Sequence, residues 1–296
     1  AGDGGLYAEL VKNRSFEELE MPDGYYAEGD VLYPKKVHNH ITGEIRPERY
    51  RWTTEPVPGW KLEAEPSAAE MKLTKDAPRF LSAPNNLKVS IRDAANPVIL
   101  VNEGYWGMGI KEGENYFLHV IFRVSPAYKG GITVRIISEN GATLAAGEIN
   151  VPTANQWNDY KVTLKSNADD SCARLVLEFS SEGDVWLDYV SLFPESTFNK
   201  RPNGLRTDVA EMIAGLQPSF VRWPGGCVVE GITLDNRFEW KKTLGDPAAR
   251  SGEYSTWGYR CSYGFGYYEL LQFCEDINAD AMYVCNVGLG CQFRMA

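Results

Sequence analysis

The chain has 296 residues, with 30 Lys and Arg against 40 Asp and Glu, for a net charge of −10. That length allows about two domains of ~150 residues, and 44% hydrophobic with 24% charged residues excludes a disordered chain. The acidity argues against nucleic acid or anionic lipid as partner, and no apolar run approaches the ~20 residues of a membrane span.

The opening AGDGGLYAEL enters apolar sequence directly, without the basic and apolar leader of a signal peptide, so none is expected. The closing VCNVGLGCQFRMA reads as a buried strand and then a loop. Both ends are expected to cut through folded structure. Residues 21–80, rich in Pro and charge, read as long loops with irregular edge strands.

A β pattern then sets in. Apolar runs recur at 87–91, 98–101, 116–124, 132–138, 159–164, 174–179 and 185–192, separated by turn residues such as those at 129–131, 139–141 and 181–184. Short strands at this spacing predict an antiparallel sandwich. Residues 193–204, with two Pro, one Gly and polar side chains, form the expected junction.

Beyond it the period changes. Leu205, Val209, Met212, Ile213 and Leu216 share one helical face, with Asn203 as cap and Gly215 with Pro218 as stop. Residues 219–223 predict a buried strand, stopped by Pro224, Gly225 and Gly226. A second amphipathic helix is expected over 267–277, with Tyr267, Leu270, Leu271, Cys274 and Ile277 inward, and a second buried strand over 281–286. Strand–helix–strand order predicts parallel βαβ units. Residues 197–296 carry 10 Lys/Arg and 11 Asp/Glu, so nearly all the net charge belongs to the β-rich part. Such a surface favours neutral ligands.

In α/β folds the carboxyl ends of the strands hold the site. Arg222 is therefore expected there, semi-buried beside an anion, with Gly225 and Gly226 admitting a ligand to the backbone and Cys227 presenting a small side chain or N–H. The alternative is that Arg222 pairs with a structural carboxylate and the glycines only turn the chain. The loop 236–266 is too long to be idle in a compact domain. Its aromatics, Phe238, Trp240, Tyr254, Trp257, Tyr259, Tyr263 and Phe265, suit either a sugar-stacking wall or a self-packed loop. Five of the six Cys (Cys227, Cys261, Cys274, Cys285, Cys291) follow residue 226, with no CxxC spacing and with His38, His40 and His119 far off, so no metal site is expected. Cys274 and Cys285 sit in apolar runs that suit buried thiols.

The run RWPGGCVVEG, NRFEWKKTLGD and WGYRCSYGFGYYELLQFCEDINADAMYVCNVGLG closely resembles α-L-arabinofuranosidases of glycoside hydrolase family 51, and AGDGGLYAELVKNRSFE resembles their first barrel strand-end. The segment from NRSFEE to VWLDYVSL resembles carbohydrate-binding modules of the families 4 and 9 type. The resemblance implies an α/β plus all-β chain: residues 1–16 as the first strand-end segment, residues 17–196 as an inserted jelly-roll β-sandwich, and residues 197–296 as a partial (β/α)8 barrel truncated after about the third strand. It implies a retaining hydrolase of terminal α-L-arabinofuranosyl groups, with acid/base and nucleophile carboxyls about 5 Å apart. The acid/base and nucleophile belong to later strands, so no catalytic residue is expected on this chain, which alone should be inactive.

The same resemblance implies substrate contacts for Arg222, Gly226, Cys227, Trp257 and Asn286, with Asp3 and Tyr7 at strand ends facing the same pocket. Arg222 matches the arginine that keeps the nucleophile ionised. Glu230, Glu239 and Glu253 are read as solvated loop carboxylates without a catalytic role. In the sandwich, Tyr105, Trp106, Trp157 and Trp186 are candidate sugar platforms, with a core ring as the alternative for Trp186 and a structural ring before a late strand as the alternative for Trp157. No cofactor is implied beyond a structural calcium at Glu17 and Asp188. The implied partners are side chains of arabinan, arabinoxylan or arabinogalactan, with no nucleic acid or membrane, and a homo-oligomer is an open expectation. The implied location is periplasmic or extracellular. The alternatives are a non-catalytic carbohydrate-binding protein or a barrel glycosidase for another sugar.

Overall fold

A computed structural model describes residues 3–22, 24–35, 51–151, 153–255 and 257–290. His38, His40 and Cys291 lie outside the described residues. In chain order the elements are β1 (Tyr25–Glu28), β2 (Val31–Pro34), β3 (Trp60–Glu63), β4 (Ala69–Thr74), β5 (Asn86–Ile91), β6 (Val98–Asn102), β7 (Met108–Ile110), β8 (Asn115–Val124), β9 (Ile132–Ile137), β10 (Thr143–Ile149), β11 (Asn158–Lys165), β12 (Asp170–Phe179) and β13 (Gly183–Pro194). They continue with α1 (Thr207–Gly215), β14 (Phe220–Trp223), α2 (Cys227–Glu230), β15 (Glu253–Tyr254), β16 (Arg260–Cys261), α3 (Tyr267–Asp276) and β17 (Asp280–Tyr283). Two compact units result. Residues 3–17 with 56–207 form one, and the described parts of 18–55 and 208–296 form the other.

The first unit holds two antiparallel sheets, ordered β10-β9-β12-β6-β3, with β7 also on β12, and β11-β8-β13-β5-β4. Period-2 alternation puts one face of each strand inward. Leu87, Val89, Leu118, Phe122 and Leu187 from one sheet join Leu100, Val134, Leu175 and Leu177 from the other in a single apolar core. All seven strands predicted from sequence form. β3 and β4 fall at sheet edges within residues 21–80, where edge strands are expected, whereas β7 and β10 lie outside the predicted strands. β10 (TLAAGEI) carries small residues where a strand pattern wants branched ones.

The two units divide the chain differently from boundaries at 16/17 and 196/197. Residues 3–17 pack within the sandwich unit. Glu9 accepts from Ser191 Oγ at 2.5 Å and from the Leu192 N–H at 2.8 Å, and Arg14 donates to Glu9 at 3.4 Å and to the Tyr7 hydroxyl at 2.5 Å. These charges are buried, so their mutual pairing is what makes the arrangement tolerable. Residues 18–55 instead contribute the β1–β2 hairpin to the second unit. Tyr25 and Leu32 pack there with Ile232 and Tyr254.

The second unit contains the predicted parallel pair. β14 runs beside β17 with Arg222 opposite Met282 and Trp223 opposite Tyr283, and α3 lies between them in sequence. Several expectations fail here. α1 begins at Thr207, not at residue 205, and Asn203 does not cap it: its Oδ1 accepts the Tyr7 hydroxyl instead. The predicted inner face is only partly covered: Leu205 is buried and Val209 and Ile213 are half-buried, but Met212 is 75% and Leu216 78% exposed. β14 and β17 are not buried, since Phe220 and Met282 are exposed. On α3, Leu270, Phe273 and Cys274 are buried but Leu271 is exposed, and Cys285 is exposed rather than buried. The apolar pattern was read correctly, but the described residues supply nothing that covers these exposed side chains.

Candidate strand-end site

β14 delivers Arg222 and Trp223 to its carboxyl end, where a cis Trp223–Pro224 peptide and Gly225 turn the chain. Gly225 has φ +85°, and a Cβ there would lie 2.5 Å from the Arg222 guanidinium. The backbone therefore approaches that cation as only glycine permits. Arg222 is exposed, not semi-buried, and no described carboxylate pairs with it. The structural-pairing alternative thus has no partner to offer within the described residues, and the cation is available to an anionic or polarised oxygen.

Gly226 also has φ in the left-handed region, at +57°, but its Cβ position is open space. Cys227 follows as the exposed first residue of α2. Asn286, beyond β17, has its amide engaged by the protein. It donates to the carbonyls of Val229 (2.9 Å) and Leu289 (2.7 Å) and accepts from the N–H groups of Gly288 (2.7 Å) and Leu289 (3.2 Å). It fastens the loop after β17 to α2, a positioning task that sequence reading did not foresee.

The long loop resolves both readings of its aromatics. Phe238, Tyr254, Tyr263 and Phe265 are buried. Trp223 makes edge contacts with Phe238 at 5.5 Å and Phe265 at 5.3 Å, and Tyr267 meets Tyr283 edge-on at 4.5 Å. These rings form a support layer behind the strand ends. Trp257 and Tyr259 are 48% and 45% exposed at the turn between β15 and β16. A buried clamp holds the loop. Arg250 pairs with both oxygens of Glu269 (3.0 and 3.1 Å) and also donates to the carbonyls of Gly245 (2.8 Å), Tyr263 (2.9 Å) and Gly264 (3.1 Å). Glu269 accepts in turn from the Gly266 N–H at 2.9 Å and so caps α3. Nothing in the sequence pattern singled out Arg250 or Glu269.

Of the three nearby carboxylates, Glu239 is paired with Arg237 (2.9 Å) and Lys242 (3.3 Å), and Glu230 lies in α2. Glu253 departs from expectation: it is not a solvated loop residue. Burial pushes its carboxyl above the usual range, against the pull of Arg260 and Lys242, and Asn236 donates to it.

Tyr7 and Asp3 belong to the sandwich unit. Tyr7 is buried there, its hydroxyl taken by Asn203 and Arg14. Trp186 carries Arg123 at 4.3 Å and Lys88 at 5.0 Å over its ring, and Arg123 also lies 5.3 Å from the Trp157 ring. Among the described residues no group of three His, Cys, Asp or Glu could hold a metal. The calcium expectation rests on a smaller set. Glu17 and Asp188 are both buried, and Glu17 accepts from the Asn85 N–H at 2.8 Å. Asn86 sits one residue beyond the Leu87–Leu187 pair, as Asp188 does on the partner strand. Asp188 Oδ2 and both amide atoms of Asn86 are buried without a hydrogen-bond partner. Burial, with Glu17 close by, raises the Asp188 carboxyl to about 7. The two oxygens of that set, Asp188 Oδ2 and Asn86 Oδ1, are of the hard type that calcium takes as ligands.

Residues 212–295 match the family model described as the alpha-L-arabinofuranosidase 1 domain. The chain is 32% identical over 293 residues to alpha-L-arabinofuranosidase 1 of Arabidopsis thaliana, covering 98% of this chain and 39% of that protein. It is 31% identical to an extracellular exo-alpha-L-arabinofuranosidase of Streptomyces chartreusis, covering 94% of this chain and 30% of that one. Its fold superposes on an arabinose-bound GH51 α-L-arabinofuranosidase with a TM-score of 0.80 at 28% identity, over 98% of this chain and 43% of that structure. The chain thus spans between 30% and 43% of the length of these relatives. By its strand-end motif, its fold and these relatives, it is similar to the α-L-arabinofuranosidases of glycoside hydrolase family 51.

Proposed function

We propose that the chain is the N-terminal portion of a retaining glycoside hydrolase that releases terminal α-L-arabinofuranosyl groups from arabinan, arabinoxylan or arabinogalactan. The observation that carries this is Arg222: a cation without an ion-pair partner among the described residues, at the carboxyl end of a parallel strand and inside the segment that matches the arabinofuranosidase domain. Arg222 would face the nucleophile carboxylate supplied by a later strand and hold it ionised. Gly226 and Cys227 would border the furanose ring. Trp257 would stack on its C–H face, and Asn286 would hold the floor of the pocket.

The parallel pair supports a partial (β/α)8 barrel. A two-stranded parallel sheet is not stable alone, and parallel sheets are buried on both faces. The open apolar side chains of α1, β14 and β17 are those that further βα units would cover. In the sandwich, Asp188, Glu17 and Asn86 would hold calcium, which would neutralise two buried carboxylates. Kinship with an extracellular enzyme supports action outside the cytoplasm, where such polysaccharides are found.

The test is hydrolysis of an aryl α-L-arabinofuranoside. The 296-residue chain is expected to be inert and the longer protein active. Turnover by the 296 residues would mean that the catalytic carboxyls are among them. An inert longer protein would overturn the functional reading.

A further inference from the structure

The proposed function gives Glu253 no task, yet folding half-buries it and surrounds it with partners. Its Oε1 accepts from the Asn236 side-chain amide and from the Tyr254 N–H at 3.1 Å. Asn236 is itself buried, and its Oδ1 accepts from the Ile232 N–H at 3.1 Å. Its backbone N–H donates to Thr233 Oγ1 at 3.2 Å. A buried amide costs free energy unless it is bonded, so Asn236 holds its place only while Glu253 accepts from it.

The two segments joined by this pair carry residues assigned to the substrate. On one side, Gly231 follows α2 at φ +73°, its N–H on the Cys227 carbonyl at 3.1 Å, and a Cβ there would strike the Asn236 carbonyl. The turn from α2 to Asn236 therefore has no slack. Asn286 joins the same segment through the Val229 carbonyl. On the other side, Glu253 opens the β15–β16 hairpin. The Ser255 N–H donates to the Tyr259 carbonyl at 2.8 Å, the Gly258 N–H to the Ser255 carbonyl at 3.0 Å and the Trp257 N–H to the Ser255 hydroxyl at 3.2 Å. A hairpin tied this closely carries a shift at its base to Trp257 at its tip. Asn236 and Glu253 are thus a polar link between the Cys227 side and the Trp257 side, with an apolar contact beside it in Ile232 and Tyr254.

We infer that Glu253, through Asn236, is a positioning residue that sets where Trp257 stands relative to Cys227, and with it the affinity for the furanose ring. The inference rests on the proposed function. Burial raises the Glu253 carboxyl against the pull of Arg260 and Lys242, which favours its neutral form, so glutamine is a close stand-in.

Steady-state hydrolysis of an aryl α-L-arabinofuranoside by the longer protein tests this. Glu253→Ala should raise KM about tenfold and leave kcat within about twofold, the pattern of lost binding and not of lost chemistry. Glu253→Met fills the space without offering an acceptor. It should give the same shift, and it carries the test should the smaller side chain fail to fold. Glu253→Gln should stay within about twofold of wild type in both constants, because its Oε1 still accepts from Asn236. Trp257→Ala should raise KM by a similar factor, and Glu253→Ala with Trp257→Ala should be little worse than Trp257→Ala alone, since both remove one contact. A general loosening of the fold would instead add to the Trp257 effect. KM unmoved by Glu253→Ala, additive effects in the double variant, no rescue by glutamine, or kcat lost with KM unchanged each overturn the inference. An inert wild type overturns the functional reading itself, so the two failures are told apart.

Discussion

The two compact units treat the same kind of sequence pattern in opposite ways. In the sandwich unit, each strand's apolar side finds a facing sheet, and Phe122, Leu187 and Leu175 end fully buried. In the βα unit, equally clear apolar patterns leave Met212, Leu216, Phe220 and Met282 exposed to solvent. Periodicity therefore reports which side chains are built to be covered, and only the fold reports whether the cover is at hand.

Stability measurements on the 296-residue chain sharpen that contrast. Phe122→Ala empties part of the closed core and should cost about 3–5 kcal/mol. Urea unfolding followed by fluorescence would measure it, and a loss below about 1 kcal/mol would contradict the closed-core description. Arg250→Ala should cost about 3 kcal/mol in the βα unit by leaving Glu269 buried without its partner. Arg250→Met with Glu269→Leu should restore much of that loss, because the apolar pair leaves no charge stranded. If the single substitution is neutral, the loop is held by its aromatics instead of by the clamp.

The sandwich has its own weak point at Asp188. Its folded carboxyl titrates near 7 against an ordinary value of 3.8. Between those values the folded state keeps a proton that the unfolded state has lost. Metal-free stability should therefore fall as pH rises from about 4 to about 7 and level off above. Asp188→Asn should flatten this slope and, without metal, raise the melting temperature at pH 8. Calcium should stabilise wild type at pH 8 in proportion to ln(1 + [Ca]/Kd) and leave Asp188→Asn unmoved. If chelator and calcium give wild type the same melting temperature, the oxygens of Asp188, Glu17 and Asn86 hold no ion.

The contrast also sets what sequence could reveal. Seven sandwich strands were legible because alternation of branched residues survives in a closed two-sheet core. β10 was hidden by its alanines and glycine. The parallel pairing of β14 and β17 followed from element order, and the positions of Arg222 and Cys227 followed from the turn after β14. The roles of Asn286 and Glu253 were out of reach, because each depends on partners brought in by folding: Val229 for one and Asn236 for the other. The hydroxyl contacts of Tyr7 were out of reach for the same reason. Its partners Asn203 and Arg14 draw it into the sandwich unit, and no local pattern announces a contact across 196 positions.

The smallest expected effect probes the comparison most directly. Met212→Ser and Leu216→Ser would be severe in a finished core, since burying a hydroxyl in place of an apolar side chain costs both packing and desolvation. On the 296-residue chain both side chains already stand in water, so each substitution should change stability by less than about 0.5 kcal/mol. In the longer protein the same changes should cost about 2 kcal/mol or more, because further βα units would press on that face. Equal, small effects in both proteins would mean that α1 stays uncovered and that the parallel pair closes some other way. Equal, large effects would mean that the helix is already covered in the shorter chain. Only the predicted asymmetry ties the open apolar face to a partner outside these 296 residues.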